Sequence, residues 1–149
     1  MPKLPVSVLV VVHSAALEVL LLERAARPGY WQSVTGSLER PDEPLAEAAA
    51  REVREETGFV ATAGDLVRWP LAYTFEIYPE WRGRFAPGTV YNTEHVFSLG
   101  LPAPRAPALA PGEHRAWQWR PWQEAAAMCF SWSNRDAIRL LGVHANVVR

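Results

Sequence analysis

The chain has 149 residues, 49% of them hydrophobic and 21% charged, with a formal net charge of -1. That length suits one domain with a real core, residues 1–149, and the composition is that of an ordinary soluble globular protein. The near-neutral balance argues against a nucleic-acid partner, because neutralising phosphates takes a basic surface.

In chain order, Lys3 comes first, the only lysine among fifteen basic residues. It precedes the run "VSVLVVV", which with "HSAA" behind it faintly imitates a secretory signal. A second apolar run, "LEVLLLE", follows at hairpin distance, so paired strands at residues 6–12 and 17–23 are the better reading. Neither run nears the ~20 apolar residues of a membrane helix, and no membrane partner is expected. A short extended piece at 31–35 and a loop at Gly36 lead into a helix over 44–57. Pro44 suits its first turn and Gly58 its stop. An extended start at Phe59 precedes alternating strands in "LAYTFEIY" and "YNTEHVFSLGL", joined by a loop with Pro79, Gly83, Pro87 and Gly88. Four prolines between 102 and 111 mark a surface loop. "HRAWQW" reads as a last strand, with helices near 121–129 and 133–141. Strands on both sides of one central helix, with helices at the end, imply a mixed α+β sandwich. Cys129 is the only cysteine, so no internal disulfide can form and a cytoplasmic setting is expected; a buried small hydrophobe is its expected role.

The central helix is charged the wrong way. Seven acids (Glu39, Asp42, Glu43, Glu47, Glu52, Glu55, Glu56) stand against three arginines between 39 and 56. Glu52, Glu55 and Glu56 crowd the last turn, where the helix dipole repels carboxylates, and Glu52 and Glu56 are a like-charge i,i+4 pair. With Leu45, Ala49 and Val53 toward the core, the three glutamates leave from another face. Converging carboxylates offer the hard oxygen ligands that Mg²⁺ or Mn²⁺ prefers, and a cation would turn repulsion into coordination. A solvated charged face, supported by Glu47 and Arg51 at i,i+4, is the plainer alternative.

"REVREETGF", residues 51–59, resembles the second half of the box that defines the Nudix hydrolases, with Gly36 similar to its opening glycine and Glu43 to its first glutamate. The resemblance implies a Nudix-type α/β/α sandwich with a mixed central sheet and hydrolysis of nucleoside diphosphates linked to another group. Glu52 and Glu56 are then metal ligands, Glu55 assists, and Arg51 orients the acids. The box ordinarily has five residues between glycine and first glutamate, whereas "GSLERPDE" has six between Gly36 and Glu43. We expect Glu43, not Asp42, to be the equivalent, with the extra residue absorbed near Arg40 and Pro41.

Outside the box, "PVSVLVVV", "WQSVTGS", "RFAPGTVYNTEHVFSL", "EHRAWQW" and "SWSNRDAI" are together similar to the bacterial dihydroneopterin triphosphate pyrophosphatases of that family. This implies cleavage of a small-molecule triphosphate to the monophosphate and pyrophosphate, in folate synthesis. Glu113 matches the metal-binding glutamate outside the box and is the leading candidate general base. Lys3, Arg24, Thr35, Phe75, Glu76, Ile77, Tyr78 and Ser131 match substrate-contacting positions. Lys3 and Arg24 can meet phosphate oxygens, Thr35 and Ser131 can hydrogen-bond, and Phe75 and Tyr78 offer flat surfaces to a bicyclic ring. Phe75 could equally be plain core, and Thr35 could serve backbone groups beside Gly36. Trp31, Trp117, Trp119 and Trp132 read as core or rim, and His95 and His114 as structural. A nucleoside triphosphate hydrolase of the same fold and a nucleotide-sensing domain without turnover are the rival readings. The oligomeric state is left open.

Overall fold

The computed structural model describes the backbone of residues 1–148 and the side chains of residues 1–144. Seven strands form one mixed sheet: β1 (Val6–Ser14), β2 (Glu18–Arg24), β3 (Trp31–Gln32), β4 (Val34–Ser37), β5 (Val67–Glu76), β6 (Tyr91–Leu101) and β7 (His114–Pro121). Helix α1 (Leu45–Thr57) covers one face, and α2 (Trp122–Met128) and α3 (Trp132–Val148) cover the other.

The sandwich follows from the alternation of strand side chains. On β1, Val8, Val10 and Val12 pack with Ala48, Ala49 and Val53 of α1, while Leu9 and Val11 pack with Ala125, Ala126, Ala137, Ile138 and Leu141 of α2 and α3. Being covered on both faces is why "VSVLVVV" is a continuous apolar run instead of an alternating one. β1 runs parallel to β6 along its whole length, from Val6 opposite Thr93 to Ser14 opposite Leu101. The crossover that a parallel pair requires contains α1. The mixed α+β sandwich expected from the sequence is the fold observed.

Several boundaries differ from the sequence reading. The extended piece at 31–35 is two strands, because the chain changes partner: β3 pairs with β2 and β4 with β1. Ser33, at the change, donates its amide to Asn134 Oδ1 at 2.8 Å and accepts from Asn134 Nδ2 on its hydroxyl oxygen at 2.9 Å, so the amide and the hydroxyl are both satisfied where the ladder breaks. β5 starts at Val67, and its register slips between Arg68 and Ala72, around Pro70, which has no amide to donate. It ends at Glu76, leaving Ile77 and Tyr78 outside the strand. The loop after it holds a 3₁₀ turn, Pro79–Arg84, and a second one, Ala63–Asp65, stands where an extended segment from Phe59 was expected. Helix α3 starts one residue earlier than expected and runs well past Leu141. Pro44 is the cap before α1 with extended ψ, and Gly58 closes the helix at φ 74°, a left-handed conformation that glycine adopts without steric cost.

Candidate active site

The site forms at the end of the sheet where β4 lies against the start of β1. Among the described residues β4 pairs with β1 and no other strand, its far edge meets side chains of α1 instead, and its alternation divides two neighbouring cavities. Gly36 meets α1 on one face, whereas Thr35 belongs with Glu94 on the other.

The first cavity is acidic, lined by Glu39, Glu52, Glu55, Glu56, Glu113 and His114. Arg51 is its organiser. Its Nε and Nη2 hold both oxygens of Glu43 at 3.0 and 3.1 Å, Nη1 reaches Glu52 Oε1 at 2.8 Å and Glu55 at 3.4 Å, and Nη2 also meets the Ser37 carbonyl at 3.2 Å. Burial alone would lower the Arg51 pKa, but the Glu43 hydrogen bonds and the Glu52 charge raise it further. The Arg51 hydrogen bonds in turn hold Glu43 below the usual carboxylate range. Asp42, by contrast, has an 85% exposed side chain and pairs only with Arg40, at 3.2 Å. The Glu43 amide bonds to the Arg40 carbonyl at 3.1 Å, closing a turn with Pro41 at its second position. It is Glu43, at the end of that turn, and not Asp42 that meets Arg51.

Glu52 lies against Gly36 so closely that a β-carbon there would stand 2.1 Å from the Glu52 carboxyl carbon. Glu56 is 2% exposed, and its Oε1 is buried with no hydrogen-bond partner. Burial pushes both carboxyls up, Glu56 farther, with the neighbouring carboxylate adding to its shift. His114 Nε2 is 3.8 Å from Glu56 Oε1, yet burial and then Arg24 push the imidazole down to about 4, so it is neutral near pH 7 and gives the carboxyl no countercharge. Glu55 is half exposed, and Glu113 is exposed. Among the described residues no three His, Cys, Asp or Glu side chains converge into a ready-made cation cage. Glu52 and Glu56 form the close pair, and Glu113 lines the same cavity.

The second cavity is aromatic, with Phe75, Tyr78, Trp81, Phe130 and Trp132 in its wall. Tyr78 packs on Trp81 with ring centroids 5.0 Å apart, and Trp81 meets Phe130 edge-on at 6.0 Å. Lys3, Arg24 and Arg84 line both cavities and form a cationic belt between them. Arg24 lies 4.8 Å from the Trp81 centroid, donates from Nη1 to Gln32 at 3.3 Å, and keeps a buried Nε without a partner. Burial and then Arg84 lower the pKa of Arg24, and the same two causes, followed by Arg24, lower that of Lys3. Cations crowded in this way, with an orphaned donor among them, match a polyanion.

The eight residues matched to substrate contacts, Lys3, Arg24, Thr35, Phe75, Glu76, Ile77, Tyr78 and Ser131, all line the aromatic cavity. Some also have structural duties. Phe75 packs on the second core, and Ser131 Oγ accepts the Asn134 amide at 3.3 Å at the start of α3. Thr35 does not serve the backbone near Gly36; its hydroxyl faces the Glu94 carboxylate at 3.5 Å. Trp132 is 54% exposed on the rim, Trp31 and Trp119 are partly buried against the two cores, and Trp117 is exposed. Sequence reasoning missed Arg84, Trp81, Phe130, Asn92 and Glu94. The last two carried a signal, being polar residues at alternate positions that share a strand face with buried Val96. The first three carried none, because only tertiary folding brings them here.

The NUDIX domain profile matches residues 3–141. The chain is 42% identical over 146 residues to the dihydroneopterin triphosphate diphosphatase of Escherichia coli K12, covering 96% of this chain and 95% of that protein. It is 33% identical over 136 residues to the Haemophilus influenzae protein of the same name, covering 89% and 84%. The solved structure of the E. coli dihydroneopterin triphosphate pyrophosphohydrolase superposes with a TM-score of 0.89 at 40% identity, over 97% of this chain and 99% of that one.

Proposed function

Since the chain belongs to the NUDIX domain family, a family of hydrolases that generally use divalent cations, we propose that it hydrolyses dihydroneopterin triphosphate to dihydroneopterin monophosphate and pyrophosphate, with Mg²⁺ as its cation and Mn²⁺ as a substitute. The observation that carries this reading is the shared wall of Lys3, Arg24 and Arg84 between an aromatic cavity and an acidic one. A flat bicyclic ring fits the first, a triphosphate spans the belt, and the reacting phosphates reach the carboxylates. In this proposal residues 1–149 act as one domain, in the cytoplasm, on a small-molecule triphosphate; no helix among the described residues is long and apolar enough to cross a membrane.

The donor set fits a hard cation. It is all carboxylate oxygen, one of its oxygens is buried without a partner, and burial holds the pair's pKa values up even with Arg51 on Glu52. Glu52 and Glu56 would hold the ion, with Glu113 of the same cavity completing the set. When bound, such an ion neutralises triphosphate charge and lowers the pKa of a water. The chain's own residues supply the rest. Arg51 fixes Glu52 through Oε1 and, with Glu55 beside it, orients the acidic cluster. Lys3, Arg24 and Arg84 hold the phosphate oxygens and oppose the charge that develops on them. Glu113, exposed in the same cavity, takes the proton of the attacking water.

The test is an assay of dihydroneopterin triphosphate beside a dNTP panel, with both products identified. Pyrophosphate should be released in a cation-dependent reaction, with the highest kcat/KM for the pterin. Glu56→Gln should lower kcat by at least about 10²-fold, the usual scale for losing such a group, with the circular dichroism spectrum intact. Stepwise release of inorganic phosphate, or an active Glu56→Gln at saturating Mg²⁺, would overturn the reading.

A further inference from the structure

The aromatic cavity ends on β6, where Glu94 and Asn92 lie two residues apart on one face. Glu94 is 7% exposed. Its Oε1 accepts from Ser133 Oγ at 3.2 Å and its Oε2 from Thr35 Oγ1 at 3.5 Å, which leaves each oxygen able to accept again. Its surroundings supply burial and two hydroxyls but no cation, and burial pushes the carboxyl up to about 7 against the pull of those hydroxyls. Asn92, 6% exposed, donates from Nδ2 to Ser7 Oγ at 2.8 Å, and its Oδ1 is buried with no partner. This end of the cavity is therefore rich in acceptors and short of donors. An arrangement of that kind is costly until a ligand brings N–H groups to it.

Resting on the pterin triphosphate reading above, we propose that Glu94, with Asn92 Oδ1 beside it, is the specificity-determining group that reads the two adjacent N–H donors of a 2-amino-4-oxopyrimidine ring edge. A carboxylate has two parallel acceptors, and such an edge has an exocyclic amino group next to a ring N–H, so the two match in a bidentate pair. Pterins and guanine carry this edge. Adenine does not: its amino group adjoins a ring nitrogen lone pair, which would face an oxygen of the ionised carboxylate, the form that prevails above about pH 7, with no proton between them. Thr35 and Ser133 act as positioning residues that hold the carboxylate plane, while Phe75 and Tyr78 offer the ring its flat surfaces.

The experiment compares the full-length chain with Glu94→Gln, which keeps the shape but replaces one acceptor with a donor. For each, kcat and KM are measured for dihydroneopterin triphosphate, GTP and ATP, and binding of neopterin, guanosine and adenosine is followed by calorimetry. The expected result is a fall of about 100-fold in the pterin-to-ATP and GTP-to-ATP ratios of kcat/KM, carried by KM, with the same order in the binding data. Glu94→Asp, which keeps the charge and shortens its reach, should shift the ratios in the same direction by less. An equal loss for all three substrates, or unmoved ratios, would overturn the inference. The two readings fail separately. If the wild-type chain does not cleave the pterin yet its GTP-to-ATP ratio collapses in Glu94→Gln, the substrate reading falls and the edge reading stands. If the pterin is cleaved and the ratios stay put, the reverse holds.

Discussion

Arg51 illustrates how one side chain can join chemistry to stability. It is the partner of Glu43, of Glu52 and of the Ser37 carbonyl, so it ties the loop before α1 to the helix and the helix to β4. With Glu43 only 5% exposed at the side chain, removing the guanidinium strands a buried carboxylate. Arg51→Ala should therefore cost about 3 kcal/mol near pH 7 by chemical denaturation, the scale for breaking a buried pair. The sign with pH follows from Glu43. Its folded pKa is depressed, so its contribution is present above the unfolded value of about 4.5 and is lost as pH falls through the folded one. The difference between wild type and Arg51→Ala should accordingly narrow on acidification below about pH 4.5. A gap that stays constant down to pH 3 would show that Arg51 acts by packing alone.

At the scale of elements, the contact between β4 and α1 decides whether the acidic turn is a fault or a platform. Carboxylates at a helix C-terminus are disfavoured by the dipole, and burial separately raises the pKa values of Glu52 and Glu56. A raised folded pKa means stability is lost as pH climbs through it, and a cation that binds only the folded chain restores it. Mg²⁺ should thus raise the melting temperature of the wild-type chain at pH 8. Gly36→Ala supplies a specific check, since the new β-carbon would collide with the end of the Glu52 side chain, which can swing aside. We expect a cost of about 1 kcal/mol, the low end for overpacking, together with loss of most of the Mg²⁺-induced shift. A full Mg²⁺ shift in this variant would separate Glu52 from the cation.

This contact also shows how far the sequence was legible. The helix, its glycine stop, the Arg51–Glu43 spacing and the family were readable, because they rest on short separations along the chain, whereas Pro44, expected in the first turn, stands just outside it as the cap with extended ψ. The split of residues 31–35 into two strands was not, since it depends on which neighbour each half finds and on Asn134, a hundred residues away. The two 3₁₀ turns were missed for a related reason: single turns leave too short a pattern to read.

For the molecule as a whole, the sheet with helices on both faces separates two cores, one on each side. Cys129 belongs to the second core, and burial pushes its thiol up to about 12, so it is inert while the chain is folded. A thiol reagent at pH 8 should therefore label it only through unfolding, with a rate that rises with denaturant in step with the far-ultraviolet signal. Rapid labelling of the native chain would mean that the α2 and α3 layer opens on its own.

Across that whole, the amino-acid sequence by itself determined the sandwich, the acidic platform on α1 and the membership of the family, because periodicity and fixed spacing act over a few turns of chain. The tertiary structure alone decided that β4 would part an acidic cavity from an aromatic one. It also decided that Arg84 would join Lys3 and Arg24 between them, and that Glu94 would end the aromatic side short of donors. These groups come from residues 3 to 134, and what brings them together is strand pairing over long separations, which no local pattern records.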